Sequence, residues 1–309
     1  MVSPVRRERR GLSLAELVVV VALAGLVCAT IMATITRQRR FYRGASELLY
    51  ARERVRDATA VLSADLRGTS VADTVRLTAD SAIEFFTTIG SSVVCQLAAN
   101  DVGLPAARAS GNSLSAFRTD PDTGDIALFH VGSAGTAERW ERRRISGFSQ
   151  RPLGSSCPSV SRMSQQSDLD AGATAFVVTL DTPLSEDVRP GAAVRFVRRA
   201  RYSLYHAGDG NWYLGYRRCN AIGAPACGAI QPVSGPYRAY DRDPRATGLL
   251  FQYFDSTGEV LDAAGAPLAL ARVDVTARAG SELPSGDAPF VRSISDSATV
   301  SVAIRNRGH

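Results

Sequence analysis

Gly11-Leu12-Ser13-Leu14-Ala15-Glu16-Leu17, followed by VVVVALAGLVCATIMATIT over residues 18–36, is the stretch on which the reading of this chain turns. No charge occurs from Leu17 to Thr36. As a helix, a run of that length measures about 30 Å, the thickness of a bilayer's hydrocarbon core. Ahead of it stand Arg6, Arg7, Arg9 and Arg10 against a single acid, Glu8. Behind it stand Arg37, Arg39 and Arg40. A cleaved secretory signal peptide would use the first arginines as its basic region and Ala22-Leu23-Ala24 as its cut site. That reading leaves Glu16 inside the apolar region and the apolar run continuing well past Ala24. A plain signal anchor carries the same difficulty, because a carboxylate inside a membrane helix costs several kcal/mol unless partnered.

The third reading explains the glutamate. A short basic leader, then Gly11-Leu12-Ser13-Leu14-Ala15-Glu16-Leu17, then an apolar helix, resembles the class III signal of type IV pilins and type II secretion pseudopilins. The family pattern is Gly, Phe, Thr, Leu, Ile, Glu, Leu. Gly11, Leu14, Glu16 and Leu17 match it, while Leu12, Ser13 and Ala15 replace Phe, Thr and Ile. The resemblance implies cleavage after Gly11 by a prepilin peptidase and methylation of the new amino terminus at Leu12. It also implies a contact between Glu16 and the amino terminus of a neighbouring subunit.

From Arg37 to Arg67, Phe41, Ala45, Leu48, Val55, Ala58, Leu62 and Leu66 recur at helical steps, with charges on the other faces. Gly68 is the expected stop. Residues 12–66 then form one helix of roughly 80 Å, the long pilin stem. The segment ending Asp65-Leu66-Arg67 resembles the stem end of PilW-type minor pilins and of J-type minor pseudopilins, although Gly68-Thr69 departs from their usual Ala-Gly. The length of 309 residues is long for the J type and favours the PilW type.

Beyond residue 70 the hydrophobic period becomes two. Strands are expected at 82–89, 114–118, 126–131, 138–148, 174–180, 193–205, 212–219, 248–254, 268–277 and 298–305. Gly208-Asp209-Gly210-Asn211 reads as a hairpin turn. Residues 100–112 and 152–173 read as loops. Residues 248–258 and Ala303-Ile304-Arg305-Asn306 resemble the closing strands of PilW- and J-type heads. The expected fold class is therefore α+β. A leader spans 1–11, a membrane or filament-core helix 12–36, and the amphipathic half of the stem 37–67. A loop-rich, mainly antiparallel β head follows over 68–309.

Four cysteines lie in that head: Cys95, Cys157, Cys219 and Cys227. In an exported domain an even count suggests disulfides. Of the three possible pairings, the short loop between Cys219 and Cys227 favours that pair, leaving Cys95 with Cys157. A zinc site lacks any Cys-x-x-Cys or nearby histidine. Cys28 sits in the apolar run as a small apolar residue. Asp120, Asp122 and Asp125 loosely resemble a calcium loop, but the terminal glutamate is missing and a turn between strands fits as well. His130 and His206 lie in strands and His309 at the end, with no attached base or nucleophile pattern. The Arg139–Arg144 run, with Trp140 inside it, reads as one solvated strand face.

The chain is expected to be no enzyme, to use no cofactor and to bind no nucleic acid. Its expected partners are the prepilin peptidase, other minor and major pilins or pseudopilins, and the inner membrane. The expected location is a single pass with the head in the periplasm, then a filament tip. The rival of another class is a membrane-tethered periplasmic binding protein or enzyme. Net charge agrees with a discarded leader. Of 36 basic residues, all arginine, and 30 acidic ones, the leader holds four and one. The chain from Leu12 is thus 32 − 29, or +3, half the formal +6.

Overall fold

The structure, a computed structural model, describes residues 13–69, 77–105, 114–132, 138–158, 163, 166–170, 172–219, 227–261, 269–282 and 293–304. The leader, the Gly11-Leu12 junction, His309 and the terminal Arg305-Asn306 lie outside those residues. Two compact units divide the chain, Met1–Ala51 with Gly280–Ser295, and Arg52–Ala279 with Asp296–His309.

Helix α1 runs Leu14–Arg67 without a proline. Its start falls two residues beyond the sequence expectation of Leu12, and its end agrees with the expected stop. From Leu14 to Met32 the large apolar side chains are exposed. Leu14 is 83% exposed and Met32 66%. The 18-residue window of highest hydropathy averages 2.6 and is wholly unburied. A single membrane span is compatible with this stretch. Its threonines suit an apolar medium, because each hydroxyl donates to a carbonyl of its own helix: Thr30 to Val27, Thr34 to Thr30 and Thr36 to Met32. The expected amphipathic stripe is not uniform. Phe41 is 72% exposed, so the burying face does not begin at the front of that stripe.

In the second unit Val55, Ala58, Leu62 and Leu66 are each buried to 1% or less. Burying a leucine is worth about 1.5–3 kcal/mol, so these four fix the face of α1 that meets the sheet. The helix closes with Gly68 and Thr69 donating to the carbonyls of Asp65 and Leu66, at 3.2 and 3.1 Å. Thr88 on the sheet donates to the Gly68 carbonyl at 2.9 Å.

The strands are β1 (Leu77–Thr78), β2 (Ala82–Val93), β3 (Gln96–Ala98), β4 (Asp101–Leu104), β5 (Ala116–Phe117), β6 (Ile126–Val131) and β7 (Arg139–Pro152). After two short helices, α2 (Leu153–Ser156) and α3 (Gln166–Asp170), come β8 (Thr174–Leu180), β9 (Ala193–His206), β10 (Trp212–Arg218) and β11 (Gln231–Tyr237). The last three are β12 (Leu249–Phe254), β13 (Arg272–Glu282) and β14 (Ser293–Ala303). The large sheet has the order β1-β2-β9-β6-β7-β8-β4-β3, with β10 against β9, β11 against β10, and β5 against β2. Its strand pairs are antiparallel. A second sheet has the order β12-β13-β14.

Strand β9 is the centre of the large sheet. It pairs with β2 from Ala193↔Val93 to Ser203↔Ala82 on one edge. On the other edge it meets β6 over Val194–Val197 and β10 over Ala200–His206. The β9–β10 hairpin turns where expected, with Gly210 at φ +84 and Asp209 accepting from the Asn211 N–H at 3.0 Å. One core gathers Leu104, Phe129, Ile145, Leu180 and Phe196. Phe117 packs edge-on against Phe148 and Phe176 beside it.

The segments expected as loops hold regular structure as well. Strand β4 falls in the first and helices α2 and α3 in the second. Gly103 explains how α2 docks, since a Cβ there would sit 1.8 Å from the Ser156 carbonyl oxygen. That approach brings Cys157 to Cys95, and the two form a disulfide packed with Leu153 and Ala175. Cys219 and Cys227 form the other.

The bonds close loops of 62 and eight residues. By chain entropy alone, Cys95→Ala/Cys157→Ala lowers stability by about 4 kcal/mol and Cys219→Ala/Cys227→Ala by about 2.5 kcal/mol. Urea unfolding of the full chain in detergent, with each pair replaced in turn, checks that order.

Candidate functional site

The helix start is built by Ser13 and Glu16. The Ser13 N–H and hydroxyl donate to Glu16 Oε2 at 3.0 and 3.2 Å, and the Glu16 N–H donates back to Ser13 Oγ at 3.3 Å. Here a serine stands at the cap and a glutamate three residues on, each satisfying a backbone donor of the other. Such donors have no partner within a helix. The carboxylate also meets the positive end of the helix dipole. Glu16 therefore has a local role that needs no second chain. Its oxygen lies on the N–H of Ser13, the residue after Leu12. Gly11 and Leu12 themselves are outside the described residues.

At the other end of the stem helix a second carboxylate does different work. Asp65 is buried. It accepts from the Tyr202 hydroxyl on β9 and from Arg118 at 2.7 Å. Burial first, and then the neighbouring Asp65, push the Tyr202 phenol well above its ordinary range, so it stays a donor. Tyr237 donates to the Arg54 carbonyl at 2.7 Å, and burial pushes its phenol up to about 12. Sequence reasoning assigned no role to Asp65 beyond the resemblance. The available signal was an acid between Leu62 and Leu66, on the buried side of the helix.

The calcium resemblance at Asp120, Asp122 and Asp125 is not sustained. Asp125 is 2% exposed and is gripped by Arg198 at 2.7 Å and Arg218 at 3.1 Å. Asp122 pairs with Arg218 at 2.6 Å, and the Asp120 carbonyl accepts from Arg198. Two guanidinium groups hold the place a cation would need, and their charge repels one. The segment instead ties β6 to β9 and β10. The Arg218 hydrogen bond holds the Asp122 carboxyl below its ordinary value of 3.8, with the Thr123 N–H assisting.

Glu84, Cys219 and Cys227 bring ligand-type atoms within 4.8 Å of one another. The two sulfurs are bonded to each other and Glu84 is paired with Arg199, so these groups are already satisfied. His130 lies 3.7 Å from Glu138 and edge-on to Trp140, and His206 lies against Trp212. The geometry around both histidines is that of packed aromatic pairs.

With this geometry in hand, comparison with protein-family models, with curated proteins and with solved structures finds no match to the chain.

Two outcomes follow from the arginine-held aspartates. Millimolar calcium leaves the melting temperature of the full chain unchanged, as differential scanning calorimetry can show. The Asp122 contribution to stability is complete above pH 3.8 and is lost as pH falls through the lowered value. Arg218→Gln reduces that acid sensitivity, read from unfolding curves across the acid range.

Proposed function

We propose that this chain is a minor pilin of the PilW type, matured by a prepilin peptidase and acting without catalysis to prime or cap a filament. The observation that carries the reading is Glu16, a carboxylate on the first turn of a helix whose next 20 residues, 17–36, carry no charge. Removal of residues 1–11 creates a positive amine at Leu12, next in sequence to the N–H that Glu16 holds. An amine and a carboxylate in or beside a bilayer are each costly alone and much less so as a pair. A subunit sliding among partner helices would offer its carboxylate to a neighbour's amine and so set its register. The capping box keeps that carboxylate on the helix until a neighbour arrives.

The disulfide-bonded β head supports the reading from the other side, because such bonds persist in oxidising compartments such as the periplasm. The open apolar flank of α1 supports lateral contact with lipid or with other helices.

Mass spectrometry of the chain purified from membranes of a cell with an active peptidase tests the first step. The expected amino-terminal peptide begins at N-methylated Leu12. A leader retained in full beside the active enzyme sinks the proposal. Gly11→Phe is expected to block the cut. Glu16→Ala is expected to leave membrane insertion intact while abolishing cross-linking to other pilin subunits. A chain that merely tethers its head would be indifferent to that change.

A further inference from the structure

Where the uncharged run of α1 ends, Arg37, Arg39, Arg40 and Arg43 follow in quick succession, with Phe41 and Tyr42 among them. All six residues are exposed, Phe41 at 72% and Tyr42 at 70%. The two rings meet edge-on at 6.0 Å. The next acid along the helix is Glu47. Among the described residues, no carboxylate pairs with any of the four arginines.

Helix geometry turns these six residues into a collar. At about 100° per residue, Arg37, Phe41, Tyr42, Arg39, Arg43 and Arg40 follow one another around the axis, with no gap wider than about 100°. Along the axis they span about 9 Å. The headgroup layer on one side of a bilayer is about 5–8 Å deep. The collar begins where the apolar run from Leu17 to Thr36, the length of a hydrocarbon core, stops. A neighbouring protein covers one side of a helix, whereas headgroups surround it. Arginine stems can lie along acyl chains while their guanidinium forks reach phosphate oxygens. A tyrosine at that depth has its ring in the apolar layer and its hydroxyl in water. Basic residues that set orientation gather on the cytoplasmic flank of a span. In the proposed orientation Arg6, Arg7, Arg9 and Arg10 already do so, which leaves the collar on the opposite flank without that role.

We infer that the collar binds the headgroups of anionic phospholipids, phosphatidylglycerol being the simplest, in the leaflet at the Arg37 end of the span. Charge complementarity names the anion, and the encircling arrangement names a lipid surface over a single protein partner. The inference rests on the single membrane span of the proposed function, but not on leader removal or filament assembly.

The experiment reconstitutes the full chain in phosphatidylcholine vesicles containing a trace of spin-labelled phosphatidylglycerol or spin-labelled phosphatidylcholine. Electron paramagnetic resonance reads the fraction of each label slowed at the protein surface, and flotation of the vesicles reads insertion. A basic residue beside an anionic lipid surface is worth about fivefold in association. The chain is expected to prefer phosphatidylglycerol at least about fivefold. The preference is expected to fall towards unity in 1 M salt, where the Debye length is about 3 Å. Arg37→Gln/Arg39→Gln/Arg40→Gln/Arg43→Gln is expected to float as before and to lower the preference at least about threefold, the leader arginines at the opposite surface keeping the rest. Glutamine matches arginine closely in helix propensity, and circular dichroism shows that the helix persists. Arg242→Gln/Arg245→Gln removes charge from exposed positions in the head and is expected to change nothing. Insertion without preference, a preference unchanged in the collar variant, or an equal loss in the head variant would overturn the inference. An unchanged preference joined to weaker self-association, read by energy transfer between labelled chains, would overturn it in favour of a second copy of the chain. Failure to float at all would overturn the span and the collar together, a result distinct from insertion without preference.

Discussion

The contact of Asp65 with Tyr202 and Arg118 is the constraint from which the arrangement of the second unit follows. It places the last turns of the stem helix against β9, which pairs with β2 along one edge and with β6 and β10 along the other. A carboxylate buried this far is tolerable only with donors on both oxygens, and the two donors come from different parts of the head. Tyr202 is fixed by the β2–β9 and β9–β10 pairings. Arg118 follows β5, and its backbone N–H is bonded to Ile89 on β2. The carboxylate thus records whether three separate stretches of chain have reached their places. The apolar residues above it give the energy of docking, while Asp65 sets its register.

The two halves of α1 are apolar for different reasons. In the second half, one face is buried in its own unit and the others carry charge. In the first half every face is apolar, which is the pattern of a helix surrounded by lipid or by other apolar helices. The change from one regime to the other comes at the arginines from Arg37 onward. That change is legible without coordinates. It is the part of the fold the sequence specifies best, because helix periodicity is a local property.

Strands β6 and β8 were legible to the residue, and β9 nearly so, since alternation and flanking turns are local too. Strand β11 was missed because Pro232, Gly235 and Pro236 interrupt any strand pattern, and it survives as an edge bonded on one side to β10. Strand β4 was hidden in a stretch rich in small residues, where Gly103 serves the close approach of α2. The calcium reading failed for a reason no local pattern could reveal. The arginines that occupy Asp122 and Asp125 lie more than 70 residues away in sequence. The candidate assembly residue Glu16 was legible at once, but its bond to Ser13 became visible only with the helix start.

The β2–β9 pairing sets a schedule for the ribosome. Strand β2 cannot complete its long edge until residues 193–203 have been made, some 110 to 120 residues after its own start at Ala82. At a synthesis rate of about 5–20 residues per second, the stem helix and the first strand wait roughly 6–25 s for their partner. The apolar half of α1 therefore emerges, and must find an environment, well before the β2–β9 centre of the large sheet can form. The exposed apolar helix comes first and the completed sheet second, an order written into the strand pairing.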